Sequence, residues 1–193
     1  YGSGNAMIEW ISGDQLAGVV SLDAGSNTVT TEFGDRYQAD VLNIIPAQKA
    51  SPIAFTADLT DSTGWCPVNP QTFESTKYAN IHVIGDACTA SALPKSGYAA
   101  NSEAKVCAAA VVSLLNGNTV ANPSFSNGCY SVVGEDYGIS IVAIYRLSDD
   151  GQLIESVPNS GGTSPLNASD WEHKLARQQA HSWYNNFTQD VFN

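Results

Sequence analysis

Hydrophobic and polar positions follow one period early in the chain and another later. Ala6-Met7-Ile8-Glu9-Trp10-Ile11 ends at a Ser-Gly-Asp turn. Val19-Val20-Ser21-Leu22-Asp23 and Thr28-Val29-Thr30-Thr31-Glu32-Phe33 flank Ala24-Gly25-Ser26-Asn27, and Gly34-Asp35 follows. β-Branched residues bounded by Gly, Asn and Asp predict antiparallel strands. Ala39 to Ile45 reads as one more buried strand, stopped by Pro46. Residues 46–80 hold four prolines and several polar turns, which predicts an irregular crossing between two domains. Ile81-His82-Val83-Ile84 reads as a short buried strand ending at Gly85-Asp86-Ala87.

The period then lengthens. A helix is predicted from Pro94-Lys95-Ser96 through Leu115, with Pro tolerated in its first turn and Asn116-Gly117 as its stop. Asn127-Gly128 reads as a turn leading into a strand at Tyr130-Ser131-Val132-Val133. Ile139 to Tyr145 and Leu153 to Val157 are two further strands, with Asp149-Asp150-Gly151 a turn and Ser160-Gly161-Gly162 a loop. The last helix opens on the capping box Ser169-Asp170-Trp171-Glu172. Ala176, Ala180, Trp183, Phe187 and Val191 recur at helical steps and form one face of it.

Composition narrows the function classes. Of 193 residues, 43% are hydrophobic and 14% charged, which is enough apolar side chain for a core. Eight basic against 19 acidic residues give a net charge of −11, which argues against nucleic acid and favours a cationic protein partner. The longest apolar run, Val106 to Leu115, falls short of the roughly 20 residues a bilayer span needs, so no membrane insertion is expected. The chain starts at Tyr1, and Tyr1 to Ala6 is neither a secretion signal nor a tag, so either the chain was processed or it is the back part of something longer.

Cys66, Cys88, Cys107 and Cys129 form no C-x-x-C pair, so neither a zinc site nor a disulfide scaffold is expected. Cys107 lies in an apolar helical stretch and reads as a small buried hydrophobe. Cys129 follows a turn and can be a reactive thiol, although a structural role is the commoner reading of that pattern. His82, His173 and His181 stand apart from any acidic or cysteine cluster.

The Gly85-Asp86 turn and the helix after it carry candidate chemistry. Gly lets backbone approach a ligand closely, an Asp carboxylate accepts from polyol hydroxyls, and a helix N-terminus offers N–H groups and positive potential. By spacing alone, an ordinary strand-ending turn explains Gly85-Asp86 equally well.

Val83-Ile84-Gly85-Asp86-Ala87 followed by Leu93-Pro94-Lys95-Ser96-Gly97-Tyr98-Ala99-Ala100-Asn101-Ser102 resembles the second FAD-binding motif of the pyridine-nucleotide-disulfide oxidoreductase superfamily. Gly64-Trp65-Cys66-Pro67-Val68, Ile81 to Cys88, Tyr137-Gly138-Ile139-Ser140 and Ser182-Trp183-Tyr184-Asn185-Asn186 narrow the resemblance to the flavoprotein subunit of flavocytochrome c sulfide dehydrogenase. The resemblance runs over essentially the whole chain.

It implies a mixed α/β and α+β fold: the C-terminal part of a two-dinucleotide-domain flavoprotein disulfide reductase, plus a small α+β C-terminal domain. Residues 1–45 would close the central, NAD-like domain, 46–117 would return to the FAD domain, and 118–193 would be the family's own C-terminal domain. Gly85, Asp86 and Ala87 would bind the ribityl–phosphate region of FAD, and Pro94, Lys95 and Ser96 would face the flavin's pyrimidine edge. Trp183 would lie near the ring, and Cys129 would form a redox-active disulfide beside it. The family pattern has Thr before that cysteine, where this chain has Gly128. No G-x-G-x-x-G of the N-terminal dinucleotide motif is present, so the resemblance places the partner cysteine and most FAD contacts in an upstream half.

The implied activity is FAD-dependent sulfide oxidation in the periplasm. HS⁻ opens the disulfide to a persulfide and a thiolate, and electrons pass through FAD to the haem of a cytochrome c subunit. Residues 1–193 alone are expected to be inactive. Two alternatives stand beside this: a sulfide:quinone oxidoreductase relative, and a non-catalytic cytochrome-docking fragment. The first needs an amphipathic membrane-binding element, whereas the last helix ends in the polar and acidic Thr188-Gln189-Asp190-Val191-Phe192.

Overall fold

The computed structural model describes residues 7–16 and 18–192. The chain divides after Ala47 into two compact units. In the first, a short helical turn α1 (Gly13–Leu16) precedes β1 (Val19–Asp23), β2 (Thr28–Thr31) and β3 (Arg36–Gln38). These make an antiparallel sheet in the order β1-β2-β3. The central strand is the buried one, through Thr28, Val29 and Thr31. The β1–β2 turn is built by Asp23, whose carboxylate accepts from the Gly25 amide at 2.9 Å and the Ser26 hydroxyl at 2.7 Å. These bonds hold the Asp23 carboxyl below its ordinary range.

Two expected strands of this unit do not form. Residues 7–12 and 39–45 are irregular, and Ala6 lies outside the described residues. A strand is stable only where a neighbour takes its N–H and C=O groups; residues 39–45 keep contact only at their start, where the Ala39 amide donates to the Asn27 carbonyl at 3.2 Å, and no strand pairs with either stretch among the described residues. Val41 and Ile45 are correspondingly exposed.

The second unit runs from Gln48. It begins with α2 (Pro52–Thr56), and β4 (Cys66–Pro67) pairs in parallel with β5 (Cys88–Thr89). Residues 81–84 are not a strand: His82 makes a single bridge to Glu74, and Gly85–Ala87 is a 3-10 turn. The 19-residue helix α3 (Gly97–Leu115) begins after Ser96, not at Pro94. Ser96 sets that boundary because its hydroxyl caps the Ala99 amide at 3.1 Å. Gly117, at φ +68°, follows the helix's far end.

β6 (Ser124–Gly134) and β7 (Tyr137–Leu147) form a long hairpin. β8 (Ile154–Ser156) and β9 (Gly162–Thr163) both pair with β7. Two expectations are corrected here. Asn127-Gly128 is not a turn but lies inside β6, paired with Ala143 and Val142. The Ser160 to Gly162 loop ends in β9, opposite Val142.

The last helix, α4 (Asp170–Phe192), opens on its capping box: Glu172 accepts from the Ser169 amide at 2.6 Å. α3 packs on β6, and α4 on β7 and β6. His173 of α4 is buried, stacked on Tyr137 with ring centroids 3.8 Å apart, and its Nδ1 meets the Gly138 carbonyl at 3.0 Å. The core joins Phe73, Leu93, Ala99, Phe125, Tyr145, Leu147 and Ile154. Phe73 and Phe125 meet edge to face at 5.9 Å. No described helix is long and apolar enough to cross a membrane.

Candidate flavin site and thiol

The Gly85–Ala87 turn and the start of α3 share a cavity. Gly85, Asp86, Pro94, Lys95 and Ser96 line it, together with Trp65 and Glu103. Its volume is about 110 Å³, below the roughly 300–1,000 Å³ of a complete small-molecule pocket. The second unit therefore offers one wall, too small by itself to enclose a ligand of cofactor size.

Three braces hold that wall. Gly85 sits at φ +71°, a backbone region that a Cβ disfavours. Its amide donates to the Glu103 carboxylate, which α3 buries beneath the turn. Burial pushes the Glu103 carboxyl above its ordinary range, and the Gly85 amide opposes that rise. The Lys95 ammonium donates to the Asp86 carbonyl at 2.6 Å and the Cys88 carbonyl at 2.8 Å, and lies 3.9 Å above the Trp65 ring. Lys95 thus ties down the turn that carries Asp86, whose own side chain is exposed.

The cysteines separate cleanly. Cys66 and Cys88 are buried, and burial raises both thiols, Cys88 to about 12. Cys107 is half-buried on α3, and burial raises its thiol too. Cys129 is also half-buried, but it borders two cavities of about 380 Å³ each. One of these is also lined by Pro94, beside the start of α3. The thiol is therefore neither sealed in aliphatic packing nor remote from the Pro94-Lys95-Ser96 segment.

Trp183 on α4 comes to the same place. Its ring stacks on Tyr98, in the first turn of α3, at 5.4 Å, and on Phe187 at 5.2 Å. Gly128 lies beneath Tyr98: a Cβ there would stand 3.1 Å from that ring, so the threonine of the family pattern does not fit without moving Tyr98. The structure thus gathers Gly85, Asp86, Pro94, Lys95 and Ser96 in one cavity, with Cys129 and Trp183 at the helix start. Ala87 stays on the turn but does not line that cavity.

Sequence reading missed Trp65, Glu103 and Asn127. Trp65 and Glu103 are brought in by contacts distant in sequence. Asn127 was legible in principle, since two-residue alternation along β6 places it on the face that carries Cys129.

A glycine turn and a helix start thus line one cavity, and a half-buried thiol borders a second cavity that Pro94 shares. Residues 121–192 match the family described as flavocytochrome c sulphide dehydrogenase, flavin-binding. Its cofactor is accordingly a flavin, FAD. A mitochondrial sulfide:quinone oxidoreductase of Schizosaccharomyces pombe is 30% identical over 112 residues, 58% of this chain. The match spans 24% of that relative's length. The fold also matches a chain in the cryo-EM structure of the Tetrahymena thermophila mitochondrial ATP synthase F1Fo composite tetramer. That likeness has a TM-score of 0.53 at 23% identity, over 86% of this chain and 38% of the other, and concerns the fold alone.

The residues fit the group. Gly85 carries no side chain on the turn that lines the cavity, and Asp86 presents an exposed carboxylate suited to polyol hydroxyls. The start of α3 supplies N–H groups and positive potential suited to an electron-rich ring edge.

Proposed function

We propose that a flavoprotein carrying this chain oxidises sulfide, with Cys129 as its reactive thiol. One observation carries this reading: Cys129 borders the cavity lined by Pro94 at the start of the cofactor helix, while Cys66 and Cys88 are sealed in the core. Gly85 and Asp86 would hold the ribityl side of FAD, and the start of α3 its pyrimidine edge. FAD, when bound, supplies the two-electron acceptor.

The chain's own chemistry is thiol–disulfide exchange. HS⁻ attacks a disulfide between Cys129 and a second cysteine. One S–S bond breaks and another forms, leaving a persulfide on one sulfur and a thiolate on the other. Lys95 and Glu103 keep the turn fixed throughout, so the cofactor wall needs no rearrangement at that moment. A cytochrome c subunit is the proposed electron acceptor, in the periplasm, where a disulfide persists.

The sulfide:quinone oxidoreductase relative favours a second reading, in which a quinone takes the electrons. That reading requires attachment to a membrane surface. Co-sedimentation with lipid vesicles separates the two: binding supports the quinone, and its absence supports the cytochrome.

The central test is Cys129→Ser in the flavoprotein that carries this chain. Sulfide should no longer bleach the flavin's visible absorbance, while dithionite still does. Sulfide-dependent bleaching at the unaltered rate refutes the assignment of Cys129.

A further inference from the structure

We propose that Asn127 is the positioning residue for Cys129, coupling its sulfur to the start of α3. This rests on the reading of Cys129 as the reactive thiol. Asn127 is only 5% exposed, yet its side chain ends in two polar groups. A buried amide is retained at little cost only where both groups have partners.

Both do. Asn127 Oδ1 accepts from the Ser96 hydroxyl at 2.6 Å. Nδ2 donates to Cys129 Sγ at 3.5 Å, and the reverse contact, sulfur donating to Oδ1, is longer at 3.9 Å. Ser96 Oγ accepts from the Ala99 amide at 3.1 Å and gives its single hydrogen to Asn127 Oδ1. The amide nitrogen is left facing the sulfur.

The strand explains why Asn127 can do this. Alternation along β6 puts Phe125, Asn127 and Cys129 on one face, opposite Tyr145, Ala143 and Ile141 of β7. Asn127 and Cys129 line one cavity with Ile141 and Ala143. The amide therefore approaches the sulfur along the strand, and both residues border the same cavity. A donor fixed in advance at a sulfur that becomes a thiolate during exchange supports that state without reorganisation.

The experiment is alkylation of the fully reduced protein with iodoacetamide at one pH, resolved by peptide mass spectrometry. The half-buried Cys107 serves as the internal reference. Asn127→Leu removes the donor at similar volume and should slow Cys129 relative to Cys107 by about tenfold. Ser96→Ala, which frees the amide to turn, should slow it by several-fold, and Ser96→Thr, which keeps the hydroxyl, should restore it. Loss of a merely structural asparagine lowers the unfolding midpoint without changing the relative rate in the folded protein. Should Asn127→Leu fail to fold, Asn127→Asp keeps the acceptor for Ser96, loses the donor and should slow Cys129 likewise.

An unchanged rate in the folded Asn127 variant, or equal rates in Ser96→Ala and the parent, overturns the proposal. A parent protein whose Cys129 does not react at all overturns the earlier reading of the thiol, and this inference with it.

Discussion

Position 128 has no side chain because the first turn of α3 occupies that space. A Cβ there would stand 3.1 Å from one atom of the Tyr98 ring and 3.3 Å from the Tyr130 ring. Gly128→Thr should cost about 1–3 kcal/mol, the usual range for overpacking. It should also disturb the Tyr98–Trp183 stack. Urea unfolding followed by tryptophan emission checks both, and an unaltered midpoint with unaltered emission contradicts the packing.

Cys88 sets a second expectation at this scale. Burial, and next the Glu103 carboxylate, raise its thiol from 9.0 to about 12. Between these values the native state keeps a proton that the unfolded chain gives up. The stabilisation is therefore complete below pH 9 and is lost as pH rises toward 12. The urea midpoint of the reduced protein should fall over that alkaline window, and Cys88→Ala should flatten the fall. These side-chain environments were not legible in the sequence. Asn127, Glu103 and Tyr98 acquire their neighbours from elements far away along the chain, and no local pattern encodes that.

Elements were legible where they carry their own signals. α4 declares its start through Ser169 and Glu172, and α3 its end through Asn116-Gly117. Strands were legible only where a partner exists. β1 and β2 are bound by an Asp23–Asn27 turn, whereas residues 39–45 have equally apolar side chains and no ladder. β6 was read as starting late because Asn-Gly is a turn signal in isolation; its pairing with β7 overrides that preference.

Glycine substitutions test how these elements fit. In Gly138→Ala the new Cβ would lie 2.5 Å from the Arg177 amide nitrogen, backbone that cannot yield without moving α4 off β7. In Gly85→Ala it would lie 3.5 Å from Ala100, an ordinary contact, leaving only the penalty for φ +71°. The latter should cost about 1–2 kcal/mol, and the former more. Chemical denaturation of the two variants gives the order, and the reverse order would show that α4 is not seated through Gly138. The exposed Lys105–Asp190 pair between α3 and α4, 2.6 Å long, is a minor contributor by comparison.

At the scale of the whole molecule, the charge of −11 gives a kinetic expectation. If the electron acceptor is a cationic cytochrome, its association rate should fall steeply as salt rises and the Debye length shrinks to about 10 Å near 0.1 M. A rate independent of salt in stopped-flow mixing removes electrostatic steering from the reading. The alternation and capping residues of the sequence by themselves determined the mixed α/β character and the two long helices, because these depend on interactions within a few residues, while contiguous motifs carried the resemblance to a flavoprotein family. The tertiary structure alone decided that Lys95 and Glu103 clamp the Gly85 turn, that Gly128 makes room for Tyr98, and that Asn127 joins Ser96 to Cys129. Each of those contacts closes a loop in the chain, and which loops close is settled by the packing of the core as a whole.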